Sequence, residues 1–237
     1  MDANEKRRML ALIAKTVSGC RDCGLCSGRT HSVPGEGSPD AEIVFIGEGP
    51  GFYEDQQGRP FVGASGKFLD DLLRSIHLDR KSVFIANVVK CRPPSNRDPQ
   101  PDEIEACRKY LDAQLEAISP KVVVTLGRFS MQRYFPGESI GRIHGQPRRK
   151  DGLIIVPMYH PAAALHQASL RNVIEADFSR LPEFLKTISG GAQPAPLDSA
   201  VERVPAHLRA AASEAQESAA AAAPQATTAD PQQMRLL

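Results

Sequence analysis

Four short apolar runs, each cut off by a turn, constrain this chain more than any other feature. They are Ile43–Ile46 (IVFI), Ser82–Val89 (SVFIANVV), Lys121–Leu126 (KVVVTL) and Leu153–Met158 (LIIVPM). Runs this short, rich in Ile and Val and bounded by turn residues, read as buried strands rather than helices. Between them the apolar residues fall at helical spacing. Helices are predicted over residues 4–17, from Gly63 through an apolar face of Phe68, Leu69, Leu72, Leu73 and Ile76, over Asp102–Ile118, Arg128–Tyr134 and Arg171–Ile188. Strands alternating with helices predict an α/β fold: three layers, α/β/α, around a four-stranded, mostly parallel sheet. In such a sheet, ligands bind beyond the carboxyl ends of the strands. Two of those ends carry unusual loops, Gly47-Glu48-Gly49-Pro50-Gly51 and Tyr159-His160-Pro161-Ala162-Ala163-Ala164-Leu165, and a third carries Asn87. That convergence marks one end of the sheet as the place for chemistry.

The rest of the chain limits the class of protein. A hydrophobic content of 41% over 237 residues suffices for one packed core. No apolar run approaches the roughly 20 residues of a membrane span. The N-terminal MDANEKRRMLALIAKTVSGC interleaves charged and apolar residues and lacks the apolar block of a signal peptide. A cytoplasmic, monomeric protein is therefore expected, and in that compartment thiols stay reduced. From Gly190 the composition turns to Ala, Gln, Pro, Ser and Thr, with no apolar face to dock. The expected organisation is a globular domain over 1–189 and a disordered tail over 190–237. Residues from 189 onward hold three Arg against five acidic residues, so the formal +1 of the whole chain hides a domain of about +3.

Five reduced cysteines point to metal or catalysis rather than disulfides. Cys20, Cys23 and Cys26 form a C-x-x-C-x-x-C run, and Cys91 and Cys107 lie far downstream. Four thiolates gathered from two distant segments hold either tetrahedral zinc or an iron–sulfur cluster, and spacing alone leans slightly to zinc. Two apparent nucleotide motifs fail: GEGPGF does not fit G-x-G-x-x-G, and Gly66-Lys67 lacks the first glycine and the Ser or Thr of a P-loop. Ser65, at a helix start, is a candidate N-cap or phosphate contact. The basic stretch Arg142, His144, Arg148, Arg149, Lys150 reads either as a solvated loop or as a contact for a phosphate backbone.

Taken in order, GEGPG, GRPFVG, NVVKCRPP followed by NR, and HPAAAL, with C-x-x-C upstream and Cys107 downstream, resemble the iron–sulfur uracil-DNA glycosylases, family 4 of that superfamily. The resemblance runs from about Cys20 to Leu185. It implies a [4Fe–4S] cluster on Cys20, Cys23, Cys91 and Cys107, with Cys26 outside the ligand set. It also implies catalytic roles for Glu48 and His160, and a uracil pocket of Gly49, Glu54, Phe61 and Asn87. In that reading Glu48 faces the cationic sugar and orients water, and His160 donates to uracil O2. Phe61 stacks on the base, Asn87 reads its edge, Glu54 stands near C5, and backbone N–H groups of the glycine turn add donors. Ser65, Arg142, Arg148 and Leu165 are the candidate DNA contacts, Leu165 as a wedge into the vacated stack. The implied partner is uracil-containing DNA, single- or double-stranded, in the nucleoid. A relative that traps uracil covalently carries a basic insert, absent at Lys90-Cys91-Arg92, so turnover is expected. The tail ends in Gln233-Met234-Arg235-Leu236-Leu237, similar to the peptide by which bacterial repair proteins dock on the sliding clamp. Two other readings stay open at this point: a non-catalytic nucleic-acid-binding module with structural zinc, and a glycosylase for another deaminated base.

Overall fold

A computed structural model describes residues 1–189. The expected tail and its clamp-like peptide lie outside the described residues. Within them the sheet has six strands: β1 (Glu36–Gly37), β2 (Ile43–Gly47), β3 (Phe84–Asn87), β4 (Val122–Leu126), β5 (Arg148–Lys150) and β6 (Leu153–Met158), in the order β1-β3-β2-β4-β6-β5. The four expected strands are its parallel centre, β3-β2-β4-β6. The additional β1 and β5 pair antiparallel at the two edges. Sequence reading missed them because they are two and three residues long and carry glycine or charge instead of an apolar run. Charged, short strands are what sheet edges favour, since they discourage pairing with another chain.

The central strands bury every residue of β2, β3 and β4, which explains why their sequences run apolar without alternating. Alternate residues serve different layers. Ile43 and Phe45 of β2 join a core with Phe68, Leu72, Ile174 and Phe178, while Val44 and Ile46 are as deeply buried on the other face. Phe45 stacks on Phe178 at 5.9 Å, tying β2 to a helix near the end of the domain. The helices are α1 (Ala3–Gly19), α2 (Phe52–Gln57), α3 (Ala64–Ser75), α4 (Pro101–Ile118), α5 (Arg128–Gln132), α6 (Ile140–Ile143), α7 (Ala163–His166), α8 (Ser169–Ser179) and α9 (Leu181–Ser189). The single helix expected over Arg171–Ile188 is thus two. Pro182 supplies no N–H to continue α8 and fits the first turn of a new helix. No helix among the described residues is long and apolar enough to cross a membrane.

Chain order fixes where a site can form. From β2 the chain goes to β3 on one side, and later to β4 on the other. Loops leaving β2 and β4 therefore diverge, and a crevice opens at the carboxyl ends beside β2.

Candidate active site

A cavity of about 590 Å³ occupies that crevice. Its lining brings together Glu48, Gly49, Glu54, Phe61, Ser65, Asn87 and His160, seven side chains or turns that sequence alone had scattered over 113 positions. Register explains the convergence. Gly47 and Asn87 are paired at the ends of β2 and β3, Leu126 pairs with Met158, and each following residue emerges at the same edge.

Asn87 is 2% exposed, and its side-chain oxygen has no hydrogen-bond partner. A buried acceptor left unpaired costs about 1–3 kcal/mol, so its retention needs a reason. Gly47 makes room for it. A Cβ there would lie 2.4 Å from Asn87 Oδ1 and 2.6 Å from the tip of the Phe61 ring. Phe61 itself has φ 52°, a left-handed backbone that side chains rarely adopt. Several groups hold it there. Arg80 donates to the carbonyl oxygens of Phe61 (2.9 Å) and Pro60 while anchored on Asp70 and Glu36. Gly66 lets α3 start against the same carbonyl, where a Cβ would stand 1.8 Å away.

Glu54, which also lines the cavity, accounts for the other side of the loop. Its Oε1 accepts from the N–H groups of Val62 and Gly63, both at 2.9 Å, and its Oε2 from Gly51 N–H at 3.1 Å. The carboxylate therefore clamps the glycine turn to the Phe61 loop. Ser65 lines the cavity from the first turn of α3, but Gly63 is the N-cap. Gly49 approaches Val89 so closely that a Cβ would meet its methyl at 2.8 Å.

Glu48 and His160 carry the perturbed ionisations. No protein donor among the described residues reaches the half-buried Glu48 carboxylate. Burial pushes its pKa up to about 7, Asp98 adds repulsion, and Arg128 partly offsets both. Asp98 is itself ion-paired with Arg128. His160 is pulled down to about 4 by burial, with Glu54 opposing. The ring is neutral at pH 7. Ala162 N–H donates to its Nδ1 at 3.1 Å, so the proton sits on Nε2, which becomes a donor. The ring lies on Phe61, centroids 5.4 Å apart and planes 24° apart.

Asp98 and His166 also line the cavity and were missed by sequence reading. The signal for Asp98 was the turn-rich segment Pro94-Ser95-Asn96-Arg97-Asp98 close behind Asn87, where Ser95 and Asn96 take positive φ. Arg142, Arg148 and Leu165 lie outside the lining. Leu165 stands on α7, 49% exposed. Arg142 and Arg148 both face Glu138, at 3.8 and 3.3 Å. Arg148 also packs its guanidinium 5.6 Å from the Phe135 ring centre.

All five cysteines rim a second, small cavity, with Asp22, Lys90 and Tyr110. Arg29 donates to Cys91 Sγ at 3.1 Å and the Lys90 N–H to Cys107 Sγ at 3.2 Å. Burial pushes the Cys107 thiol up to about 11 and raises those of Cys91 and Cys23. These are poor sites for a bare thiolate. Among the described residues no three His, Cys, Asp or Glu side chains are grouped as a single metal ion requires. Lys90 joins the two cavities. Its buried Nζ donates to the Asn87 carbonyl (2.9 Å) and to Gln114 Oε1 (2.6 Å), and burial lowers its pKa to about 8.

Residues 34–181 match the family model described as the uracil DNA glycosylase superfamily. The chain is 48% identical over 197 residues to a type-4 uracil-DNA glycosylase of Sulfurisphaera tokodaii, covering 79% of this chain and 87% of the relative. Over 186 residues it is 41% identical to the Thermotoga maritima type-4 enzyme, covering 76% and 97%. A type-5 enzyme of Thermus thermophilus is 36% identical over 115 residues, 42% of this chain and 52% of the relative.

Proposed function

The chain belongs to the uracil-DNA glycosylase superfamily, with the type-4 enzymes, and from that premise we propose how its cavity removes uracil from DNA. The observation that carries the assignment of roles is the orphaned Asn87 oxygen in the cavity wall. An extruded uracil offers N3–H to that oxygen and takes a hydrogen bond from the same amide at O4. Cytosine reverses both groups and would leave the amide unpaired, a mismatch that discriminates strongly. The amide thus favours uracil over a base with cytosine's edge. Thymine's extra methyl is excluded by space, and the turn that Glu54 clamps to the Phe61 loop sets that space.

In the reaction, water adds to C1′, the C1′–N1 bond breaks, and its electron pair leaves on the uracil ring. Positive charge gathers on the sugar and negative charge on O2. Glu48, ionised, faces the sugar and takes the proton of the attacking water. His160 donates through Nε2–H to O2 as charge arrives there, and its low pKa keeps it a neutral donor. Both groups act on charge that exists only in the transition state, where stabilisation lowers the barrier. Phe61 stacks on the base and offsets part of the few kcal/mol spent in leaving the helix.

For DNA contacts, Ser65 meets phosphate from α3 and Leu165 enters the vacated stack from α7. Arg142, its side chain 73% exposed, and Arg148 both pair with Glu138 in the free protein and provide phosphate contacts on DNA. The cysteine cavity suits a [4Fe–4S] cluster on Cys20, Cys23, Cys91 and Cys107. What supports this is that all four of these cysteines line one small cavity and that N–H donors reach Cys91 and Cys107. Burial of Cys23, Cys91 and Cys107 also disfavours charge without bound iron. Such a cluster would supply a cross-link between the N-terminal segment and the Cys91–Cys107 region. The enzyme acts as a cytoplasmic monomer at the nucleoid, with the 190–237 tail as a tether to the sliding clamp.

Oligonucleotides carrying uracil, cytosine or thymine at one position test the assignment by chromatography of released bases. Uracil alone should be freed, and release of cytosine or thymine at a similar rate would overturn the Asn87 role.

A further inference from the structure

Phe52 and Tyr53 open α2 beside the cavity with 50% and 61% of their surface in solvent. Among the described residues the other large apolar side chains this exposed are Met1, at the terminus, and Leu165, on α7 two strands away. The neighbours of the pair in sequence, Gly51 and Glu54, both line the cavity, so the aromatic surface continues it. The two rings meet edge to face, 5.5 Å apart at 80°. Arg92 lies over Phe52 at 5.1 Å and is held by its Nε bond to Asn96, another lining residue. A ring face in water, a buttressing ring and a fixed cation form the combination that binds single-stranded nucleic acid. Bases stack on the ring whatever their identity, and the cation meets phosphate.

We propose that Tyr53, braced by Phe52 and Arg92, is a stacking platform for an unpaired base next to the extruded uracil, which gives the enzyme a specific grip on single strands. In a duplex the flanking bases stay paired and stacked within the helix, and offer the platform no free face. In a single strand they do offer one. Arg92 then faces the phosphate linking that base to the uracil nucleotide. The proposal rests on the glycosylase reading and adds a preference among its substrates.

Single-turnover uracil release, measured against enzyme concentration on a single-stranded and a matched duplex oligonucleotide, tests it with wild type, Tyr53→Ala and Tyr53→Phe. Loss of one stacked base corresponds to roughly 5- to 150-fold weaker binding. Tyr53→Ala should raise the half-saturating concentration for the single strand about fivefold or more, with the maximal rate unchanged. Tyr53→Phe should restore it, and the duplex should shift by less than about twofold. An equal rise on both substrates, or no rise on either, overturns the platform. Failure of the wild type to release uracil from either strand form would instead overturn the glycosylase reading itself.

Discussion

Glu48 shows what the site costs the protein that holds it. A carboxylate half removed from water, with repulsion from Asp98 and no donor of its own, is a poor anion in the resting protein. In the proposed reaction it becomes a well-placed one, when a cationic sugar appears in front of it. Two outcomes follow from its pKa of about 7. The value of kcat/KM should fall about tenfold per unit as pH drops below about 7, because only ionised Glu48 serves. His160, down at about 4, adds nothing to that limb. A profile flat to pH 5 would contradict this. The stability consequence has the opposite sense. The folded pKa lies above the unfolded carboxylate value of ~4.3, so the fold is stabilised by Glu48 protonation and loses that benefit as pH rises through the window to about 7. Glu48→Gln, which never ionises, should therefore raise Tm at pH 8 relative to wild type. The gain should shrink towards pH 4, and an equal gain at both pH values would refute the link.

At the scale of elements, the site depends on one loop held in an unfavourable backbone conformation. Phe61 keeps φ 52° because Arg80, Glu54 and the missing Cβ of Gly66 all require it. Gly66→Ala should displace Phe61 and abolish most uracil release. Glu54→Gln gives up an anion that accepts three backbone N–H bonds, and should cost about 2 kcal/mol or more in a denaturant melt. Unchanged melts and rates for both would show that the loop holds itself. These supports also mark the boundary of what the sequence discloses. The four central strands were legible because burial on both faces leaves an uninterrupted apolar signature, and the loops at their ends were legible because glycine and proline punctuate them. The edge strands β1 and β5, the Pro182 break and the anchoring of Phe61 by Arg80 were not. β1 and the Arg80 anchor depend on contacts between separated segments that leave no local periodicity. β5 is a three-residue charged arm of a hairpin with β6, too short for a pattern, and the Pro182 break sits inside an otherwise continuous helical pattern. Glu54 is the instructive case: its presence in the site was readable, but its three backbone partners were not.

Over the whole molecule, one lysine links the two cavities. Lys90, on the rim of the cysteine cavity, donates from its backbone to Cys107 Sγ and from its side chain to the carbonyl of Asn87, which lines the other cavity. Purified protein should be brown, with iron and acid-labile sulfide in equal amounts. Cys107→Ser should lose colour and stability together, and colourless, fully stable wild type would contradict the cluster. Truncation of Gln233–Leu237 should weaken sliding-clamp binding without altering uracil release from short oligonucleotides; unchanged clamp affinity would dismiss the tether. The central claim is that Glu48 and Asn87, brought to one crevice by a parallel sheet, act on the same extruded base. Its most direct measurement is single-turnover uracil release at pH 8 by wild type, Glu48→Ala and Asn87→Ala, each confirmed folded by its melt. Each variant should fall about 10²–10³-fold below wild type. A folded variant of either kind that stays within about threefold of wild type would contradict the claim.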